Sequence, residues 1–346
     1  MTTRTDFAKY LTRFLSEYLP HQRNVSKNTI ASYRDSFVQF INYMKEINGI
    51  PVERLLLKHL TRDNVINYLQ WLHNTKKNTS ATCNYRLAAI RSFCSYLQYI
   101  VIDNMVEWQS ILSIKAKKTE ISPPNYLSME GMKLLLAQPD TTSWKGRRHL
   151  ALLSLMYDTG ARVQEIADLT VDCVRIDTTP YTIRLTGKGR KTRIVPLAEA
   201  QVDILRSYME ENNLNDPNMM KKPLFFNGRH EKLTREGITY ILKIYADMAN
   251  KQQPELIPKK ISCHSIRHSK AMHLLQAGVN LVYIRDILGH VSIQTTDIYA
   301  RADSKAKREA LENAYTRLTP NTITEKEWER NKNLLEWLKG LDRKST

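Results

Sequence analysis

His264-Ser265-Ile266-Arg267-His268, then Leu288-Gly289-His290, then Thr295-Thr296-Asp297-Ile298-Tyr299: this stretch decides how the chain is read. A histidine and an arginine three residues apart share one helix face, so both can reach the same anion. A second histidine follows a glycine turn, and a tyrosine comes one short segment later. Further upstream, Arg162 in Thr159-Gly160-Ala161-Arg162-Val163-Gln164-Glu165 opens what reads as another helix. Two guanidiniums, two imidazoles and a phenol form a set suited to attack on a phosphodiester without a metal.

The composition is consistent with that chemistry. The 346 residues are enough for two domains with separate cores. Lys and Arg number 52 against 35 Asp and Glu, a formal charge of +17 that favours a polyanionic partner. No apolar run is long enough to span a membrane, and the first residues lack the apolar core of a signal peptide. A cytoplasmic location without membrane association is therefore expected. The four cysteines, Cys83, Cys94, Cys173 and Cys263, are scattered without CxxC pairing and read as reduced, mostly buried thiols. Zinc would need carboxylate or thiolate partners at ligand spacing around the histidines, and none is present. No metal and no cofactor are expected.

Working outward, the first 114 residues read as helix after helix. Phe7, Leu11, Phe14, Leu15 and Tyr18 make one apolar stripe, ended by Pro20. Ile30, Tyr33, Phe37, Phe40, Ile41 and Met44 make a second, entered through Ser26 or Asn28 and stopped near Gly49. Thr61 is placed to cap a third helix, and a fourth runs from about Ser80 to Ile100. Residues 115–126, basic and stiffened by Pro123-Pro124, form an interdomain linker. Residues 127–318 make a second domain. Ser128 caps a helix there, and Arg147 to Tyr157 forms a strongly apolar one. Two alternating segments, from Thr182 and from Thr192, read as strands joined by the basic turn Gly187-Lys188-Gly189-Arg190-Lys191. Asn227-Gly228 is placed to turn a second small hairpin. Residues 319–346 form a helical tail, opened by Thr324-Glu325-Lys326-Glu327 in capping-box form. That tail could pack on its own domain or on a neighbouring protomer. Parallel βαβ alternation is missing, so the expected class is mainly α with a small antiparallel sheet.

Taken together, these boxes resemble the tyrosine recombinases, or phage-type integrases, including the Xer-like chromosome resolvases. The resemblance covers nearly the whole chain. The box from Tyr157 to Glu165 is similar to the first catalytic arginine motif, and Gly187-Lys188-Gly189 through Leu197 to the hairpin that carries the catalytic lysine. His264-x-x-Arg267, Leu288-Gly289-His290 and Thr295 to Tyr299 complete the set in the family's order, with no active-site position departing from its pattern. The resemblance implies a C-shaped clamp on duplex DNA, with a helical, SAM-like core-binding domain and a catalytic domain. It also implies a Holliday-junction pathway, four protomers on two DNA sites, and tails exchanged between neighbours. A second, different recombinase subunit is a further partner it allows. The length and extended tail favour a mobile-element integrase or transposase.

Residue chemistry stands beside the resemblance. Attack on a phosphodiester builds charge on two non-bridging oxygens, which Arg162 and Arg267 can bind with planar, bidentate donors. Glu165, one helical turn after Arg162, either orients that guanidinium or forms an ordinary surface pair. Tyr299 would be the nucleophile. A phenol has a pKa near 10, so it needs a base or nearby positive charge. It also leaves well enough to keep the linkage reversible without ATP. By the resemblance, His264 supports deprotonation of the tyrosine and His290 bonds a phosphate oxygen. His268 and His273 read as structural, and Tyr283 and Tyr315 as packed decoys. The resemblance also implies that Lys188 at the hairpin turn protonates the departing 5′ oxygen, with Lys191 as its substitute if the turn shifts register. Arg190, Lys191 and Arg193 invite phosphate contacts, as do Lys76, Lys77, Arg86 and Arg91 in the first domain. Two rival readings are a type IB topoisomerase, which shares the chemistry, and a non-catalytic DNA-binding regulator.

Overall fold

The computed structural model describes residues 5–119, 123–290, 292 and 294–302. The chain divides into two compact units, Met1–Ile121 and Ser122–Thr346. It is mainly helical with one small antiparallel sheet.

In the first unit, helix α1 (Asp6–Arg13) starts where Thr5 Oγ1 accepts the Ala8 amide, satisfying a donor that has no partner within the helix. It does not stop at Pro20. The chain continues as a wider, π-type turn over Phe14–Gln22, with Pro20 inside it and the Arg23 amide reaching Tyr18 O. An i→i+5 register tolerates one missing donor where a regular α-helix would break. Helix α2 (Lys27–Glu46) is capped by Ser26, not Asn28, and Gly49 follows it at φ +67°. Thr61 caps α3 (Arg62–Asn74), and Thr79 caps α4 (Ser80–Leu97). A fifth helix, α5 (Met105–Leu112), buries Trp108, whose Nε1 donates to Val101 O. The apolar positions of these helices meet around Phe93. Its ring lies 5.2 Å from those of Phe14 and Phe37 and 6.0 Å from Phe7, edge-on to Phe7 and Phe37 as ring quadrupoles prefer.

The second unit holds α6 (Met129–Leu136), capped by Ser128, then α7 (Trp144–Thr159) and the short α8 (Val163–Ala167). A three-stranded sheet follows, in order β1 (Val174–Arg175), β2 (Thr182–Thr186) and β3 (Thr192–Pro196). Ile183, Leu185 and Val195 alternate inward, and Arg193 pairs with Leu185 across the hairpin. Helices α9 (Glu199–Glu211), α10 (Arg235–Gln252), α11 (Cys263–Gln276), α12 (Leu281–Leu288) and α13 (Gln294–Ala302) complete the described part.

The second hairpin expected at Asn227-Gly228 reduces to a single bridge between Phe226 and Lys232. Asn227 Oδ1 closes the turn by accepting the Arg229 and Glu231 amides, and the chain leaves before a ladder forms. Tyr283, expected to be packed, is 66% exposed because Ile284 and Leu288 occupy the inner face of α12. Tyr315 and the C-terminal tail lie outside the described residues. All four cysteines are free, and Cys83, Cys94 and Cys263 are buried. Among the described residues no helix is long and apolar enough to cross a membrane.

Candidate active site

The centre of the site is the C-terminal end of α12. Helix ends leave carbonyls without intrahelical partners, and those carbonyls carry the negative end of the helix dipole. Here three consecutive ones each receive a guanidinium. Ile287 O accepts from Arg193 Nε at 2.7 Å, Leu288 O from Arg267 NH2 at 2.6 Å, and Gly289 O from Arg162 NH2 at 3.2 Å. Gly289 makes the arrangement possible. It ends the helix at φ +65°, and a Cβ there would sit 2.9 Å from the Arg193 guanidinium. Arg267 is further held by Gly160 O at 2.8 Å, at the left-handed residue that ends α7.

Glu165 is the counter-charge. Its side chain is 3% exposed, so the surface-pair reading does not hold. Oε1 accepts from Arg162 NH1 at 2.8 Å and from Arg193 NH1 at 3.0 Å, while Oε2 accepts the Arg162 amide at 2.9 Å and Arg193 NH2 at 2.7 Å. Burial alone would raise this carboxyl, but the bonds from Arg193 and the Arg162 backbone outweigh it and pull it down to about 2. Gly187 lets the hairpin approach, since a Cβ there would lie 2.9 Å from Glu165 Oε1. The hairpin turn itself needs Gly189 at φ +75°.

The expected hairpin residues separate. Arg193 is directed inward, its side chain 12% exposed and committed to Glu165 and Ile287 O. Lys191 is exposed and lines a cavity of about 530 Å³ together with Arg162, Thr192, Arg193 and His290. Arg190 is exposed at φ +59° on the turn, and Lys188 opens that turn at Gly187. In the first unit, Lys76 is exposed, 4.7 Å over the Trp71 ring and 3.9 Å from Glu46. Lys77 is exposed at φ +54°, and Arg91 is half-buried. Arg86 turns inward and donates NH1 to Ser36 Oγ at 3.0 Å, bracing α4 on α2.

Tyr299 on α13 is 1% exposed, packed with Ala271, Met272, Ile284 and Leu288. Its hydroxyl lies 2.8 Å from His268 Nδ1. That contact was missed in the sequence, where His268 read as structural; the available signal was the i,i+4 spacing that puts it on the face of His264. The two rings are 6.3 Å apart, and His264 is at the exposed end. His290 stacks on Tyr299 with centroids 6.3 Å apart, and its Nδ1 is 2.9 Å from Thr296 Oγ1. His273 bonds the Tyr157 hydroxyl through Nδ1 at 2.9 Å and has the structural role expected for it.

Electrostatics follow from burial among cations. Burial raises Tyr299, and Arg267 and Arg162 partly oppose that. Burial, then Arg267 and Arg162, pushes His290 down to about 4; burial, His264 and Arg267 do the same to His268. His264 is also lowered, by desolvation and by Arg267 and Arg162. Arg267 is drawn down to about 9 by burial and by Arg162. Burial and the neighbouring guanidiniums thus favour the neutral form of each of these imidazoles. Among the described residues no three His, Cys, Asp or Glu side chains group as metal ligands.

A helical fold in which Arg162, Arg193 and Arg267 converge on the end of α12, with His290 stacked on a tyrosine from α13 and Arg162, Arg193 and His290 lining the adjoining cavity, defines a strand-transfer enzyme of the tyrosine type. The chain belongs to the phage integrase family: the family model "Phage integrase family" matches residues 125–306, and "Phage integrase, N-terminal SAM-like domain" matches residues 11–99. It is 33% identical to the "Putative integrase/recombinase y4rC" of Sinorhizobium fredii, over 99% of this chain and 100% of that one. It is 34% identical to the tyrosine recombinase XerC of Herpetosiphon aurantiacus, over 88% and 96% of the two chains. Among solved structures, XerH recombinase bound to difH substrate in a post-cleavage complex shares the fold. Its TM-score is 0.65 at 24% identity, covering 84% of this chain and 80% of that one.

Proposed function

We propose that this protein is a site-specific DNA recombinase that cuts and rejoins duplex strands through a 3′-phosphotyrosine on Tyr299. The observation that carries this reading is the clustering of Arg162, Arg193 and Arg267 on three successive carbonyls of one helix end, with Arg162 and Arg193 both bound to Glu165 and lining the cavity. Guanidiniums held in place before the reaction need no reorganisation when charge develops, which is the largest single source of stabilisation in such chemistry.

In the reaction, Arg162 and Arg267 bind the non-bridging oxygens and His290 adds a hydrogen bond. The Tyr299 oxygen attacks phosphorus as the bond to the 5′ oxygen breaks. A hairpin lysine protonates that oxygen: Lys188 on the family pattern, with Lys191 as the second reading because it lines the cavity. A 5′ hydroxyl from a partner duplex then attacks the phosphotyrosine, giving a Holliday junction and, after a second exchange, recombinants. No ATP is consumed, because the phosphotyrosine conserves the bond energy. Tyr299 is buried here, so cleavage requires α13 to shift and present the hydroxyl.

In this reading residues 1–114 bind DNA, 115–126 link, and 127–318 carry the chemistry. Residues 319–346 join protomers of a tetramer on two sites, a closed head-to-tail ring. Lys76, Lys77, Arg91, Arg190 and Lys191 contact the phosphate backbone, and the protein works in the cytoplasm. The test is a plasmid carrying two copies of the DNA segment that the protein protects, incubated with purified protein. Recombinant circles and four-way junctions support the proposal; relaxation of supercoils without exchange indicates topoisomerase action, and binding alone indicates a regulator.

A further inference from the structure

We infer that Arg193 is a positioning residue for strand cleavage: it takes up the charge of Glu165, so that Arg162 keeps its own for the phosphate. The inference rests on the recombinase reading and deepens it. It starts from an electrostatic conflict. Glu165 is buried, its Oε1 accepts from Arg162 NH1 at 2.8 Å, and Arg162 lines the cavity that receives the phosphate. A lone carboxylate in that place would neutralise the guanidinium and repel a phosphodiester.

Arg193 removes the conflict by geometry. It meets Glu165 fork to fork, NH1 on Oε1 at 3.0 Å and NH2 on Oε2 at 2.7 Å. Its Nε donates to Ile287 O at 2.7 Å, so all three nitrogens are committed within the protein. Arg162 is held more loosely. Its side chain is 33% exposed against 12% for Arg193, and its NH2 reaches Gly289 O only at 3.2 Å. Two guanidiniums on one carboxylate leave one positive charge in surplus, and exposure assigns that surplus to Arg162. Two glycines leave room for the pair: a Cβ on Gly187 would lie 2.9 Å from Glu165 Oε1, and one on Gly289 2.9 Å from Arg193 NH1.

The strand that carries Arg193 points the same way. Alternation puts Arg193 on the inward face of β3 with Val195, while Ile194 between them is 70% exposed. Stability alone favours the reverse, an apolar side chain inward and a basic one outward. A buried ion pair there adds little to folding compared with apolar packing, so its charge serves the site. Burial raises the Glu165 carboxyl, and the bonds from Arg193 are the largest influence against that. The other carboxylate lining the cavity, Asp286, is paired in the same manner, 2.7 Å from Arg285.

Nicked duplexes that trap wild-type protein covalently are first selected from a randomised pool, and the cleaved phosphate is mapped. Single-turnover adduct formation is then compared for wild type, Arg193→Gln and the double variant Arg193→Gln with Glu165→Gln. Each rate is corrected for the folded fraction read from urea melts. Arg193→Gln is expected to react about 100-fold more slowly, the loss usual for one weakened charge-stabilising group. In the double variant paired amides replace the ion pair and the surplus charge returns, so about tenfold or more should be recovered. A double variant no faster than Arg193→Gln overturns the proposal, because a residue that only braced the hairpin gains nothing from a second substitution. On a duplex whose scissile phosphate is a methylphosphonate, neutral at that centre, Arg193→Gln should lose less than about fivefold against wild type. An equal loss on both duplexes overturns it too. On the free protein, 13C spectra should show the Glu165 carboxyl ionised down to about pH 3 in wild type and taking up its proton at higher pH in Arg193→Gln. An unchanged titration also overturns the proposal. If wild type forms no adduct the recombinase reading fails, whereas the titration still reports whether Arg193 takes up the charge of Glu165.

Discussion

At the scale of single residues, Glu165 holds the site together. It is 3% exposed and binds two guanidiniums and one amide, so its loss strands the largely buried Arg193 and frees the half-buried Arg162. Glu165→Ala should lower the unfolding free energy of the second unit by about 3–5 kcal/mol, measured by urea denaturation. A loss below about 1 kcal/mol would mean that the network adds little. The titrating groups give two separate acid windows. His268 and His290 fall to about 4 in the fold, below the roughly 6.5 of an unfolded chain. A base lowered by folding contributes stability above its unfolded pKa and loses it as pH falls toward the folded value. Stability should therefore decline from about pH 6.5 to 4, with protons taken up on unfolding. Glu165, lowered to about 2, is likewise stabilising above its unfolded value and gives way only between about pH 4.3 and 2. Urea titrations at stepped pH, with and without His290→Phe, would separate the first window from the second.

At the scale of elements, the end of α12 is the organiser, and this was the least legible part of the sequence. Leu288-Gly289-His290 announced a glycine turn and a histidine. Nothing in local spacing announced that Ile287, Leu288 and Gly289 would offer their carbonyls to three arginines from α8, β3 and α11. Such convergence depends on tertiary packing, and periodicity reports only which face of an element is buried. Caps were readable at Ser26, Thr61 and Ser128 because each acts within a few residues of its own helix. Pro20 misled for the converse reason: its local penalty is real, but a wider turn absorbs it. Arg193 and Arg86 read as basic surface, yet both turn inward, and only their partners Glu165 and Ser36 explain why. Gly289→Ala tests the element directly. The residue sits at φ +65°, and its Cβ would press on Arg193, so a loss of about 1–2 kcal/mol is expected with slower strand cleavage. Unchanged cleavage with unchanged stability would remove α12 from its central position.

At the scale of the whole molecule, a formal charge of +17 sets how the protein meets its substrate. Each phosphate neutralised releases counterions, so affinity for duplex DNA should fall steeply with salt, by about 10³-fold or more between 50 and 200 mM if six or more phosphates are contacted. Tyr299→Phe should leave that dependence unchanged, since the buried hydroxyl belongs to the chemistry and not to binding. Filter binding across a salt series checks both statements. The most direct measurement of the central claim is a denaturing gel of wild-type protein and Tyr299→Phe on nicked duplexes, with every divalent ion chelated, followed by mass mapping of the DNA-linked peptide. The account predicts a chelator-insensitive adduct on the peptide containing Tyr299, absent from the variant. An adduct on another residue, or cleavage that needs added magnesium and leaves nothing attached to the protein, would contradict it.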